Sequence, residues 1–116
     1  MNISMDTARK LRDEYGTPLL VVSRRKIEEK FQLLKEYLPQ VDMYYAVKAN
    51  PHPEILKVIA ACNPYFDVCS RNEIESVLGL SVPGDNMIHT NPIKKQQDIE
   101  HAVEQGIKWF VFDNRH

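Results

Sequence analysis

The chain has 116 residues, 43% of them apolar, and its 15 basic and 16 acidic side chains nearly cancel, so charge implies neither a nucleic-acid partner nor an anionic membrane. Its apolar runs, such as Leu19-Leu20-Val21-Val22, are far too short to span a bilayer, and no leader-like apolar core opens the chain. Two cysteines, Cys62 and Cys69, are too few for a disulfide framework and fit reduced thiols in a cytoplasmic, soluble protein comprising one domain or part of one.

In chain order, apolar spacing predicts a first helix near 6–15, with Ala8, Leu11 and Tyr15 on one face and Gly16 as the stop. Thr17-Pro18 leads into a short strand over 19–22, and Ser23 caps a helix over 24–38 that Pro39 ends. Its face carries Ile27, Phe31, Leu34 and Leu38, while Arg24-Arg25-Lys26 reads as a solvated helix start.

From residue 41 the pattern becomes strand–helix repeated. A strand over 41–47 is followed by a helix over 53–62 with Ile55, Ile59 and Cys62 inward. A second strand, 65–69, meets a helix opened by Ser70 and Glu73 in a capping box, burying Ile74, Val77 and Leu78. A third strand, 87–90, precedes a helix over 94–105 with Ile99, Ala102 and Val103 inward, and a fourth strand spans 108–112. Such alternation argues a parallel α/β sheet with right-handed crossovers, either a (β/α)8-type barrel or a doubly wound sheet. The expected organisation is a lead-in of helix, short strand and helix over 1–40, then βα units over 41–116.

The strand ends carry polar residues that packing does not require: Lys48, Asp67, His89 and Asp113, roughly one βα unit apart. In barrels, chemistry sits at the C-terminal ends of strands. Alternation through Tyr44, Ala46 and Lys48 puts these three on one face, with the small Ala46 leaving space beside the amine. Lys48 then reads either as an edge solubiliser or as a placed amine at the end of a buried strand. Asp67 reads either as a turn-structuring carboxylate or as an acceptor facing that amine. His89 is more simply a packed or solvent-facing residue, and Cys69 has no paired histidine to make it a nucleophile. Glu73, Lys94 and Lys95 are accounted for by capping and surface charge. No Gly-rich phosphate loop, P-loop or metal-spaced cluster is present.

The stretch Tyr45-Ala46-Val47-Lys48-Ala49-Asn50-Pro51, followed by Phe66-Asp67-Val68-Cys69-Ser70, Glu73-Ile74-Glu75, Asn91-Pro92-Ile93-Lys94-Lys95 and Phe112-Asp113, closely resembles the ornithine/diaminopimelate/arginine decarboxylase family. The motifs stand in that family's order and cover nearly the whole chain. The resemblance implies the first βα units of a pyridoxal 5′-phosphate-binding barrel, with Lys48 as the residue that attaches the cofactor. By the same comparison Asp67 lies near it, and Ala46, with Tyr44 and Asn50 more weakly, lines it. The chemistry needs an amine that spends time deprotonated, through burial or nearby charge. Asn63 stands where the family commonly has glycine.

A whole barrel takes roughly 250 residues, so the resemblance implies the N-terminal portion of a longer enzyme that acts as a homodimer on a small amino acid. The segment 90–99 looks most like the ornithine and ornithine/lysine branch, which implies a basic amino acid as substrate. The alternatives are a diaminopimelate decarboxylase fragment, or a non-catalytic truncated relative that binds another protein through an open sheet edge.

Overall fold

The structure, a computed structural model, describes residues 3–63 and 65–114, so the outer ends of the expected ranges 1–40 and 41–116 lie outside the described residues. Two helices lead, α1 (Met5–Tyr15) and α2 (Arg24–Tyr37). Four strands then alternate with three helices: β1 (Tyr45–Ala46), α3 (Pro53–Cys62), β2 (Phe66–Val68), α4 (Arg71–Leu78), β3 (Met87–His89), α5 (Gln96–Glu104) and β4 (Trp109–Phe110).

Local chemistry sets the helix starts. The Ser4 and Ser23 hydroxyls accept from the amides of Thr7 and Lys26, at 3.1 and 3.3 Å. At α3 the His52 ring Nδ1 takes that place for the Glu54 amide, with Pro53 as the first helical residue. Ser70 accepts from the Glu73 amide, but the Glu73 carboxylate passes over Ser70 and accepts from the Cys69 amide at 2.6 Å. The expected capping box is therefore shifted by one residue, which ties the residue after β2 to the first turn of α4.

All three strand pairs are parallel and the order is β1-β2-β3-β4. Sequential order with crossovers of one hand places the helices on one face, as in a barrel wall; a doubly wound sheet reverses its order partway. The register aligns Ala46, Asp67, Ile88 and Trp109 in one row, each 21 residues beyond the last. The alternate rows run Tyr45–Phe66–Met87 and Val68–His89–Phe110. Phe66, Val68, Met87 and His89 are buried with Leu56, Ile59, Ile74, Val77 and Ala102, whereas Asp67 and Ile88 are half-buried and Trp109 is 61% exposed. One face is thus a packed core and the other is open.

Several expectations are corrected. Strand β1 is two residues long and ends before Val47, where a 3-10 turn over Val47–Ala49 begins. The segment 19–22 belongs to no strand, and Leu20 is 81% exposed. Helix α1 has no buried residue, and Tyr15 is exposed. In α5 the buried pair is His101 and Ala102, while Ile99 and Val103 face solvent. His101 takes the inner position with Nε2 2.9 Å from the Glu75 carboxylate of α4, close to it but outside hydrogen-bonding geometry. Asn63 is extended (φ −148°) and needs none of a glycine's freedom. Only 6% exposed, it donates through Nδ2 to the carbonyls of Met43 and, at 3.2 Å, Tyr65, stapling the approaches to β1 and β2.

Candidate active site

The 3-10 turn after β1 carries Lys48 off the strand, so the amine reaches its neighbours by a turn and not by strand alternation. Lys48 is exposed, unlike the buried lysine that the sequence pattern suggests. Its Nζ donates to Cys69 Sγ at 3.9 Å; Sγ lies 3.3 Å from Thr90 Oγ1, and the Thr90 hydroxyl donates to Asp67 Oδ1. Lys48, Cys69 and Thr90 again stand 21 residues apart, the next row on the open face after Ala46, Asp67 and Ile88. Lys48 and Asp67 make no direct ion pair within 4.0 Å among the described residues; the two meet through Cys69 and Thr90.

The other sequence candidates fall elsewhere. His89 lies in the helix-facing row, 1% exposed and stacked on Phe110 (centroids 5.9 Å apart, 19° between planes), so it does not reach Lys48's face. Burial, and then the nearby Lys94 charge, lower its pKa. Lys94 donates to the Asn91 carbonyl and, at 2.5 Å, to the Val111 carbonyl, joining the loop after β3 to the chain after β4. Tyr44 packs on Tyr65 with ring centroids 5.3 Å apart. Burial pushes the Tyr45 phenol up, and its hydroxyl donates to the Asn50 carbonyl at 3.2 Å. Asn50 turns its Oδ1 to the His52 amide. Asp113 is exposed at the end of the described chain.

A groove of about 710 Å³ runs between the segment before α2 and the start of α3, lined by Leu20, Val22, Ile27 and Ile55 among others. It borders Asn50 and His52, not the Lys48–Asp67 cluster. The described residues hold no group of three or more potential metal ligands, and no helix among them is long and apolar enough to cross a membrane.

Cys69 and Thr90 are the members that sequence reasoning missed. The signal was available: Cys69 follows Asp67 by two and Thr90 follows Ile88 by two, the strand period that returns a side chain to the same face. Spacing measured from Lys48 through Asp67 to His89 mixed two rows of opposite facing.

A sequentially wound parallel sheet with an accessible amine and a carboxylate at its strand ends defines a barrel-type site able to attach a carbonyl cofactor through lysine. The site fits pyridoxal phosphate in chemistry: Lys48 supplies an approachable amine, the Ala46 methyl leaves room beside it, and Asp67 supplies negative charge on the same face.

Residues 24–116 match the family described as pyridoxal-dependent decarboxylase, pyridoxal binding domain, and the chain belongs to that family. Among similar proteins, the lysine/ornithine decarboxylase of Selenomonas ruminantium is 41% identical over 84% of this chain and 25% of its own length. The ornithine decarboxylase of Caenorhabditis elegans is 36% identical over 87% of this chain and 24% of its own. The crystal structure of lysine decarboxylase from Selenomonas ruminantium superposes with a TM-score of 0.92 at 36% identity, over 99% of this chain and 30% of that one. The chain therefore spans about a quarter of the length of the curated relatives it matches.

Proposed function

We propose that this chain supplies the lysine-bearing part of a pyridoxal phosphate-dependent decarboxylase acting on a basic amino acid, ornithine before lysine, with putrescine as the product. The carrying observation is the position of the Lys48 amine, after β1 and linked to Asp67 on the open face. Pyridoxal phosphate, when bound, supplies the electron sink that makes loss of CO2 from an amino acid feasible. Lys48 would attach the cofactor and release it to the substrate amine; Ala46 would leave room for it. The Asp67 carboxylate, held by the Thr90 hydroxyl, would keep negative charge on the face where protons move. A desolvated basic substrate also needs carboxylates for its distal ammonium, and that choice separates ornithine from its analogues. The names of the relatives support the basic-substrate reading: one names lysine and ornithine together, one ornithine and one lysine. A cytoplasmic homodimer, with 1–40 as lead-in and 41–116 as barrel wall, completes the proposal.

The test is a panel of ornithine, lysine, arginine and meso-diaminopimelate on the protein that carries this chain, read as kcat/KM. A preference for diaminopimelate would move the substrate to lysine biosynthesis and leave the role of Lys48 intact. Absence of turnover with every member, in protein that holds the cofactor, would end the decarboxylase reading.

A further inference from the structure

We infer that Cys69 and Thr90 are positioning residues that join Lys48 to Asp67 in one directed chain of donors, an inference that rests on the cofactor role proposed for Lys48. The direction follows from the proton count. Thr90 has one hydroxyl proton, and it goes to Asp67 Oδ1. Its oxygen can then only accept from Cys69, so the thiol proton points to Thr90 across 3.3 Å. That leaves the sulfur facing Lys48 as an acceptor, 3.9 Å from Nζ. The order is Lys48 N–H to Sγ, S–H to Oγ1, O–H to Oδ1.

One consequence bears on the reaction. Lys48 is exposed, so burial does not orient its flexible side chain, and the sulfur is the side-chain group that holds its amine toward the open face. The shifted cap of α4 supports the arrangement, because the Glu73 carboxylate fixes the Cys69 backbone at 2.6 Å and with it the root of the thiol.

The test compares wild type with T90V, T90S, C69A and C69S using two readouts. The first is the rate at which pyridoxal phosphate is trapped on Lys48 by borohydride, located by peptide mass. The second is the chemical shift of the Asp67 carboxyl carbon by NMR, identified by its loss in D67N. Losing one hydrogen bond of a chain that ends on charged groups is expected to slow Lys48 labelling roughly tenfold or more in T90V and C69A, with T90S and C69S restored to near the wild-type rate. T90V should also move the Asp67 carboxyl resonance, because that carboxylate loses its donor; C69A should leave it nearly in place. T90V and C69A that label like wild type, with an Asp67 resonance indifferent to T90V, would overturn the inference. Wild-type labelling of Lys48 no faster than that of the exposed Lys10 would instead sink the cofactor assignment, and the Asp67 resonance would still decide the Thr90 link.

Discussion

Lys48 owes its position to the end of a strand: β1 stops at Ala46, and the turn at Val47–Ala49 buries Val47 while sending the lysine outward. One direct expectation is that Lys48→Ala abolishes borohydride-stable attachment of pyridoxal phosphate in the protein carrying this chain. It should also lower turnover by several orders of magnitude, on the order of 10³-fold or more for a removed covalent catalyst. Label found undiminished on another lysine would refute that assignment. A second residue-scale expectation concerns His89. Its ring is buried, neither nitrogen has a partner among the described side chains, and Lys94 adds positive charge nearby. Its folded pKa lies below the ordinary histidine value of about 6.5. The native state therefore binds fewer protons than the unfolded one, so stability rises with pH through that range and is lost as pH falls below about 6.5. Urea midpoints measured at pH 7.5 and pH 5 should show the drop, and His89→Leu should flatten it.

At the scale of elements, the sites are held by contacts at the ends of helices. Ser70→Ala removes the hydroxyl that accepts from the Glu73 amide and should cost about 1 kcal/mol of stability. Through the Glu73–Cys69 bond it should also loosen the thiol, so slowed Lys48 labelling would accompany the lower melting temperature. Gly84 is a steric requirement. It lies in the 3-10 turn over Gly84–Asn86, and a Cβ there would sit 2.0 Å from the Gln105 carbonyl oxygen at the end of α5. Two backbones meet with no side chain free to yield, so Gly84→Ala should destabilise by about 1–3 kcal/mol or prevent folding; an unchanged denaturation midpoint would contradict the close approach. Gly106, in the turn after α5 on the other side of this contact, has φ +84°, the left-handed conformation that glycine tolerates best.

For the whole molecule, the radius of gyration is 17.3 Å, against about 13 Å for a compact domain of this length. The excess lies in the lead-in: α1 and α2 bury no residue fully, and Leu20, Leu33, Leu34 and Tyr37 remain exposed. The open sheet face exposes Trp109 as well. Cofactor affinity in barrels of this kind rests heavily on phosphate held by loops after late strands, and four strands are described here. A polypeptide of these 116 residues alone is expected to show no saturable pyridoxal phosphate binding and no turnover. Equilibrium titration beside Lys48→Ala checks this, and a tight site that needs Lys48 would contradict it.

What the sequence determined by itself was whatever depends on near neighbours. Helices α2 to α4 were legible because capping residues and a 3.6-residue apolar period act within a turn or two. The strand–helix alternation and the motif around Lys48 were legible for the same reason. Register is different, since it depends on which residues lie side by side across 21 positions of chain, and no local pattern states that number. Tertiary structure alone placed His89 among the helices, set Ala46, Asp67 and Ile88 in one row, and chose His101 over Ile99 and Val103 as the inner residue of α5. It also brought Cys69 and Thr90 between Lys48 and Asp67. Strand pairing fixes the facing of every side chain at once, and a count off by one residue turns each of them to the opposite face.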